Sequence, residues 1–190
     1  AIFGAFLIGV AVLRPESPFL LSIILGATVI VITGVLDDMY EISAKAKMLG
    51  QLAAALIIVF YGGMEIDFIK LPFGGELETG FLSIPFTIIW IIGITNAVNL
   101  IDGLDGLAAG VSTIALITLS IMAFLMADMF VLAIAAILAA STFGFLFYNF
   151  HPAKIFMGDT GALFLGFMIA VLSLLSPARY WRSNSLFSPT

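Results

Sequence analysis

The sequence Asn96-Ala-Val-Asn-Leu-Ile-Asp-Gly-Leu-Asp-Gly-Leu107 places polar residues at the end of a long apolar run, since Leu82 to Thr95 carry no charged side chain. Residues three apart are neighbours on a helix, so the first part of this polar row lies on one helix face. Gly103 and Gly106 then allow the backbone to turn. A carboxylate beside lipid is costly unless it faces water, a cation or a partner, so the row indicates a site. Its members are two amides and two carboxylates at three-residue spacing: Asn96, Asn99, Asp102 and Asp105.

The composition is that of a membrane protein. Of the 190 residues, 62% are hydrophobic and 10% are charged, whereas a soluble domain carries roughly 25% charged residues. No soluble core of this length could bury so much apolar surface, so the solvent must be lipid. The modest net charge of −5 includes no basic patch, which argues against nucleic acid as a partner. The absence of cysteine excludes disulfides and thiol chemistry within these residues.

Apolar segments of about 20 residues predict an all-α, polytopic transmembrane protein with about seven spans. The connection Tyr61–Phe81, with its glycine pair, predicts a small extracytoplasmic hairpin. We assign residues 1–176 to a multi-span membrane domain, incomplete at both ends, and residues 177–190 to an atypical polar tail. Ala1 lies inside an apolar run without a basic signal region, so we interpret the chain as a fragment. The predicted segments are Ala1–Leu13, Phe19–Leu36, Met48–Tyr61 (with an alternative start at the N-cap Ser43), Leu82–Ile101, Leu107–Ala127, Met129–Phe150 and Asp159–Ser176.

Alternation of the spans across the bilayer predicts that all candidate site carboxylates share one face. The loops at 37–47, 102–106 and 149–159 fall on one side, and the turns at Arg14, Tyr61–Phe81 and Asp128 fall on the other. The prediction requires a tight hairpin at Asp128, because otherwise Asp159 would change sides. Lysine and arginine are nearly balanced between the two faces, so charge alone does not orient the chain.

Each acidic cluster also has a purely structural interpretation. Asp37 and Asp38 could be a solvated helix end, although acids there oppose the helix dipole. Asp159 could be a plain N-cap. The Asn96–Leu107 row could be a cap and turn, and His151 is interpreted as a loop histidine. Three acidic clusters on one face instead favour a hard cation such as Mg²⁺, with Mn²⁺ as the alternative, holding phosphates.

Four motifs together resemble one enzyme family, the polyprenyl-phosphate N-acetylhexosamine-1-phosphate transferases of bacterial envelopes. The branch most similar to this chain makes undecaprenyl-pyrophosphoryl-GlcNAc for teichoic acid and related polymers. The resemblance extends over nearly all of Ala1–Leu175. It is carried by Leu36-Asp-Asp-Met-Tyr40, Ala46-Lys-Met-Leu-Gly-Gln51, Gly93–Gly110 and Phe145–Gly161.

The resemblance implies a reaction and a role for each motif residue. The reaction joins a HexNAc phosphate from a UDP-sugar to undecaprenyl phosphate and releases UMP, on the cytoplasmic face of the bacterial plasma membrane and with Mg²⁺. The lipid is implied as a partner, and a homodimer is a further expectation. The implied roles are catalysis for Asp37, Asp38 and Asp102, Mg²⁺ ligation for Asn99 and Asp159, pyrophosphate binding for Lys47, uracil binding for Asp105 and Phe156, and a less specific substrate-binding role for Asn96.

Family members carry a further N-terminal span, and C-terminal spans with a histidine-rich loop. We therefore expect residues 1–190 alone to be inactive or poorly folded. Three alternatives stay open: a phospho-N-acetylmuramoyl-pentapeptide transferase, an ion-coupled transporter with acids near the midplane, and a membrane scaffold. A scaffold has no need to gather Asp37, Asp102 and Asp159.

Overall fold

The computed structural model describes the backbone of residues 1–66, 68–70 and 76–185, and side chains within 1–66 and 79–175. In these ranges the helices are joined by short loops, and the strands form one two-stranded antiparallel hairpin of β1 (Phe68–Lys70) and β2 (Glu76–Glu78). This confirms the predicted hairpin, whose glycine turn lies outside the described residues. A π-helical turn, Ile57–Tyr61, extends the third helix, and a 3₁₀ turn, Gly80–Leu82, precedes the fourth. The helices are α1 (Ile2–Leu13), α2 (Leu20–Tyr40), α3 (Ala44–Leu56), α4 (Ser83–Ile101), α5 (Leu107–Leu125), α6 (Met129–Asn149) and α7 (Gly158–Ser185).

Six of these helical segments are long and apolar enough to cross a membrane, and α1 is a shorter apolar helix. The prediction of about seven spans is therefore confirmed for six, because α1 has only 12 residues and a span needs about 20. Large apolar side chains such as Ile32, Ile89 and Ile114 are more than half exposed on the helix surfaces. A soluble protein rarely shows such continuous apolar surface, so the described chain is a multi-pass helical membrane protein.

The predicted end of the second segment is wrong. This segment does not end at Leu36, because α2 continues to Tyr40 and carries Asp37 and Asp38 in its last turns. The seventh segment, predicted as Asp159–Ser176, agrees with the candidate span Gly158–Leu175, and the α7 backbone continues past that span to Ser185. Hydropathy marks where an apolar stretch ends, and a helix can continue past that point.

The hairpin at Asp128 is confirmed. Helices α5 and α6 pack closely along their lengths, and Asp128 is the N-cap of α6, where its Oδ1 accepts the Val131 amide at 3.1 Å. The chain therefore reverses at Asp128. The ends of α2, α4 and α6 consequently lie at the same end of the bundle as the beginnings of α3, α5 and α7.

Helix α7 lies at the centre and packs against α2, α4 and α5. From Ala162 to Leu172 nearly every residue is buried. Two glycines, one on α2 and one on α7, allow the backbones of α2 and α4 to approach α7 closely. A Cβ atom at Gly34 of α2 would collide with the backbone of Thr160, and one at Gly166 would lie 2.8 Å from the Thr95 Cα on α4. Small residues allow such close approach in membrane bundles, and here they bring α2 and α4 to the beginning of α7.

Candidate active site

An ion cluster joins four helices at one end of the bundle. The Lys47 ammonium on α3 pairs with Asp37 on α2 and lies 3.2 Å from Asp159 Oδ2 on α7. The Asn99 amide on α4 donates to Asp159 Oδ1. Lys47 and Asn99 therefore meet at the Asp159 carboxylate, and Asp37 joins them through Lys47.

Helix dipoles explain why these charges depend on one another. Asp37 lies near the C-terminus of α2 and Lys47 near the N-terminus of α3, so each opposes the dipole of its own helix. Asp159 lies in the first turn of α7, where a carboxylate is favoured. The Asp37 side chain is only 7% exposed, so removal of its lysine partner would leave a buried charge.

Asp38 projects away from Asp37 because successive helical residues point about 100° apart. Its Oδ1 accepts the Asp159 amide at 2.8 Å, and its Oδ2 accepts the Thr160 amide at 3.1 Å and the Thr160 hydroxyl at 2.5 Å. A carboxylate on α2 thus caps the N-terminus of α7. The cap fixes the position of Asp159, the predicted metal ligand. The catalytic role of Asp38 stays a prediction.

Asn96 lies about one helical turn before Asn99 on α4 and pairs with Gln51 on α3. Gln51 Nε2 donates to Asn96 Oδ1 at 3.1 Å, and Asn96 Nδ2 donates to Gln51 Oε1 at 2.6 Å and to the Ile92 carbonyl at 2.8 Å. Gln51 is 1% exposed. The Asn96 side chain is therefore engaged between two helices, and its predicted contact with substrate stays a prediction.

Asp102 directly follows α4 and is half-buried beside the cluster. Burial is the main cause that raises its pKa to about 6, and the nearby Asp159 and Asp38 carboxylates add to the shift. This end of the bundle therefore gathers four acidic side chains, those of Asp37, Asp38, Asp102 and Asp159, near the ammonium of Lys47. This excess of acidic over basic groups in the cluster favours a bound cation.

Asp105 contacts the loop after α6. Its Oδ2 accepts the Ala153 amide at 3.1 Å and lies 3.0 Å from His151 Nδ1. The Ala153 amide first and His151 second lower the pKa of this carboxyl from its usual value. Phe156 is 77% exposed on the same loop. Asp105 and Phe156 thus border one loop, and their predicted uracil contacts stay predictions.

The donor set fits a cation that shares its ligands with a substrate. Within the described residues no group of three His, Cys, Asp or Glu side chains could hold a metal by itself. Mg²⁺ is ordinarily held by one or two carboxylates together with waters and substrate phosphates. Asp159, whose side chain is 35% exposed, and Asn99 are suited to that arrangement, with Asp37 next to them.

The structure thus brings Asp37, Lys47, Asn99 and Asp159 into direct contact, and it places Asp38 and Asp102 beside them. Two further participants, Gln51 and Thr160, carry no role in the sequence prediction. Gln51 follows Lys47 by four residues on the same helix face, which is a signal that could have indicated it. Nothing in the sequence singles out Thr160, because its partner Asp38 is 122 residues away.

The fold and the site define a multi-pass helical membrane protein with an acidic, lysine-containing centre where its helices end. Residues 20–177 match the model of the family described as "Glycosyl transferase family 4", and the chain belongs to this family. It is 52% identical over 168 residues to a probable undecaprenyl-phosphate N-acetylglucosaminyl 1-phosphate transferase of Bacillus subtilis, covering 88% of this chain and 46% of the relative.

More distant relatives have another name. The chain is 39% identical to the phospho-N-acetylmuramoyl-pentapeptide-transferase of Listeria innocua over 153 residues, covering 75% of the chain and 47% of the relative. It is also 39% identical to the enzyme of that name from Streptococcus agalactiae over 156 residues, covering 75% and 45%. The chain spans about half the length of these curated relatives.

Proposed function

We propose that the protein to which this chain belongs transfers a HexNAc phosphate, GlcNAc phosphate in the first instance, from a UDP-sugar to undecaprenyl phosphate and releases UMP. The observation that carries the proposal is the convergence of Asp37, Lys47, Asn99 and Asp159 at one end of four helices. Phosphoryl transfer depends mainly on positioning and on neutralising charge. A cluster of this composition supports both.

The proposed reaction assigns a task to each charged group. An oxygen of the lipid phosphate attacks the sugar-bearing phosphorus of the UDP-sugar, a new P–O bond forms, and the pyrophosphate P–O bond to UMP breaks. Asp37 accepts a proton from the lipid phosphate or orients it. Lys47 stabilises the negative charge that develops on the departing UMP phosphate.

Asp159 and Asn99 are the residues that would hold Mg²⁺, with Mn²⁺ as the alternative. A bound divalent cation would neutralise phosphate charge and make UMP a better leaving group. Burial, and after it the Asp159 and Asp38 carboxylates, raise the pKa of Asp102, so a change of charge at the centre would change the protonation of Asp102. Asp105 and Phe156 border the loop where the uracil ring is proposed to bind.

Two observations bear on the alternatives. The 52% identity to a relative named for GlcNAc, against 39% to relatives named for the muramoyl pentapeptide, favours GlcNAc as the sugar. The carboxylates lie at helix ends, whereas transporters place such groups near the midplane. We further propose that the site faces the cytoplasm, where a water-soluble nucleotide sugar is supplied, and that a link to teichoic acid synthesis and a homodimer follow the family pattern.

The test is UMP release by the full-length protein in detergent with undecaprenyl phosphate and either UDP-GlcNAc or UDP-MurNAc-pentapeptide. We expect UMP and a pyrophosphate-linked lipid, identified by mass spectrometry, with UDP-GlcNAc. Product only from UDP-MurNAc-pentapeptide would reassign the sugar. No product from either donor would reject the proposal.

The matched variants are Asp159→Asn and Glu16→Gln. Each removes one carboxylate charge, the first in the cluster and the second on an exposed turn at the other end of the bundle. We expect Asp159→Asn to abolish measurable UMP release and Glu16→Gln to leave it unchanged. Full activity of Asp159→Asn would remove this residue from the proposed centre.

A further inference from the structure

The amide pair between Gln51 and Asn96 lies one helical turn from the ion cluster. It bridges α3 and α4, the helices that carry Lys47 and Asn99. Gln51 follows Lys47 by four residues on α3, and Asn96 precedes Asn99 by three on α4. Each member of the pair therefore lies on the helix face that carries a member of the cluster. Both Lys47 and Asn99 contact Asp159 on α7.

The contacts of this pair are reciprocal and nearly complete. Each side chain donates to and accepts from the other, and the second Asn96 N–H bonds the Ile92 carbonyl within α4. An amide pair has a fixed donor and acceptor order, so it specifies one separation and one register between two helices. An apolar contact in lipid specifies these far less, because lipid tails are as apolar as the side chains.

We propose that Gln51 and Asn96 are positioning residues, whose amide pair sets the spacing of α3 and α4 so that Lys47 and Asn99 reach Asp159 together. Neither acts on the reacting atoms. The pair acts through the two residues above it, and its loss lets Lys47 and Asn99 move apart. Small displacements of positioning groups can lower a rate by about a hundredfold.

This inference rests on the proposed function, so its test has one arm that measures activity and one that does not. The first arm compares kcat and KM for UDP-GlcNAc in the full-length protein carrying Gln51→Met, which keeps the length of the side chain and removes the amide. We expect kcat to fall about ten- to hundredfold. The control is Thr142→Val, which removes a buried hydroxyl that bonds only within α6, and we expect it to leave kcat unchanged.

Rescue separates positioning from a merely structural role. Gln51→Asn and Asn96→Gln each disturb the pair, whereas the double variant exchanges the two amides and keeps their combined length. We expect each single variant to lose activity and the double variant to recover most of it, which is a coupling between contacting residues. A double variant as impaired as the two single losses combined would overturn the proposal, and these variants replace Gln51→Met if that protein does not fold.

The second arm measures the spacing directly with spin labels at Leu49→Cys on α3 and Leu100→Cys on α4, both exposed side chains. We expect Gln51→Met to broaden the distance distribution between the labels and the amide exchange to narrow it again. An unchanged distribution in Gln51→Met would overturn the proposal. If the unsubstituted protein releases no UMP, the proposed function fails, and the label distances still decide whether the pair sets the helix spacing.

Discussion

The two ends of the helical bundle use polar side chains in different ways. At the end with the ion cluster, side chains bond across helices. The Lys47–Asp37 ion pair joins consecutive helices, and the side-chain hydrogen bonds between elements join partners 45 to 122 residues apart. At the other end of the described bundle, polar side chains bond partners between 2 and 21 residues away, as at Ser17 and Thr87. There Asp128 caps its own helix, and Glu65 accepts the Ser83 hydroxyl at 2.9 Å.

The difference teaches what each end requires. Local caps and hydroxyl bonds satisfy the backbone where a helix ends, and they need no charged partner from elsewhere. The cluster instead holds Asp37, Lys47 and Asp159 together at a cost in desolvation that a stable bundle does not require. Charges that are costly to desolvate and that partners on other helices hold in place indicate function. Local caps, which have no such desolvation cost, only end the helices.

The largest expected effect on stability comes from Lys47→Met, compared with Lys45→Met on the same helix. Loss of Lys47 leaves the buried Asp37 carboxylate without its cation, at a cost of about 3–5 kcal/mol in the free energy of unfolding. We also expect UMP release to fall by about 100- to 1,000-fold. Lys45 is exposed, so its variant should match the unsubstituted protein in unfolding midpoint and in activity. Equal effects of the two variants would mean that Lys47 is an ordinary interfacial lysine like Lys45.

A smaller effect is expected where α2 approaches α7. Gly34→Ala places a Cβ atom against the backbone of Thr160, so it should separate the helices, weaken the Asp38 cap and cost about 1–3 kcal/mol. Gly93→Ala on α4 meets no atom within 4 Å and should be neutral or stabilising. Thermal unfolding in detergent and UMP release would be measured for both. A stable, active Gly34→Ala protein would show that this close approach is not needed.

The smallest expected effect compares the two carboxylate caps. Asp38→Ala and Asp128→Ala should each cost about 1 kcal/mol in the free energy of unfolding. Only Asp38→Ala should also lower UMP release, because only that cap positions Asp159. If neither variant lowers activity, Asp38 is a cap of the same kind as Asp128. If both do, the two ends are coupled.

Much of the architecture could be predicted from the residues in order. The hairpin at Asp128, the N-cap Ser43, the end of α4 at Ile101 and the beginning of α5 at Leu107 all follow from hydropathy and local signals. The end of α2 could not be found in this way, because Asp37 and Asp38 look like a loop when partners on other helices are unknown. For the same reason the Asn96–Leu107 row looks like one site, whereas its side chains separate: Asn96 bonds Gln51, Asn99 bonds Asp159, and Asp105 bonds the loop after α6.

Hydropathy and span alternation suffice to establish the membrane class and to bring the acidic segments to one face, because both depend on residues that are near one another in the chain. Which acid meets the lysine, which caps α7 and which amide bridges α3 and α4 depend on contacts between helices. Those contacts arise from close packing at Gly34 and Gly166 and from the angle at which each side chain leaves its helix. Only the tertiary structure contains that information.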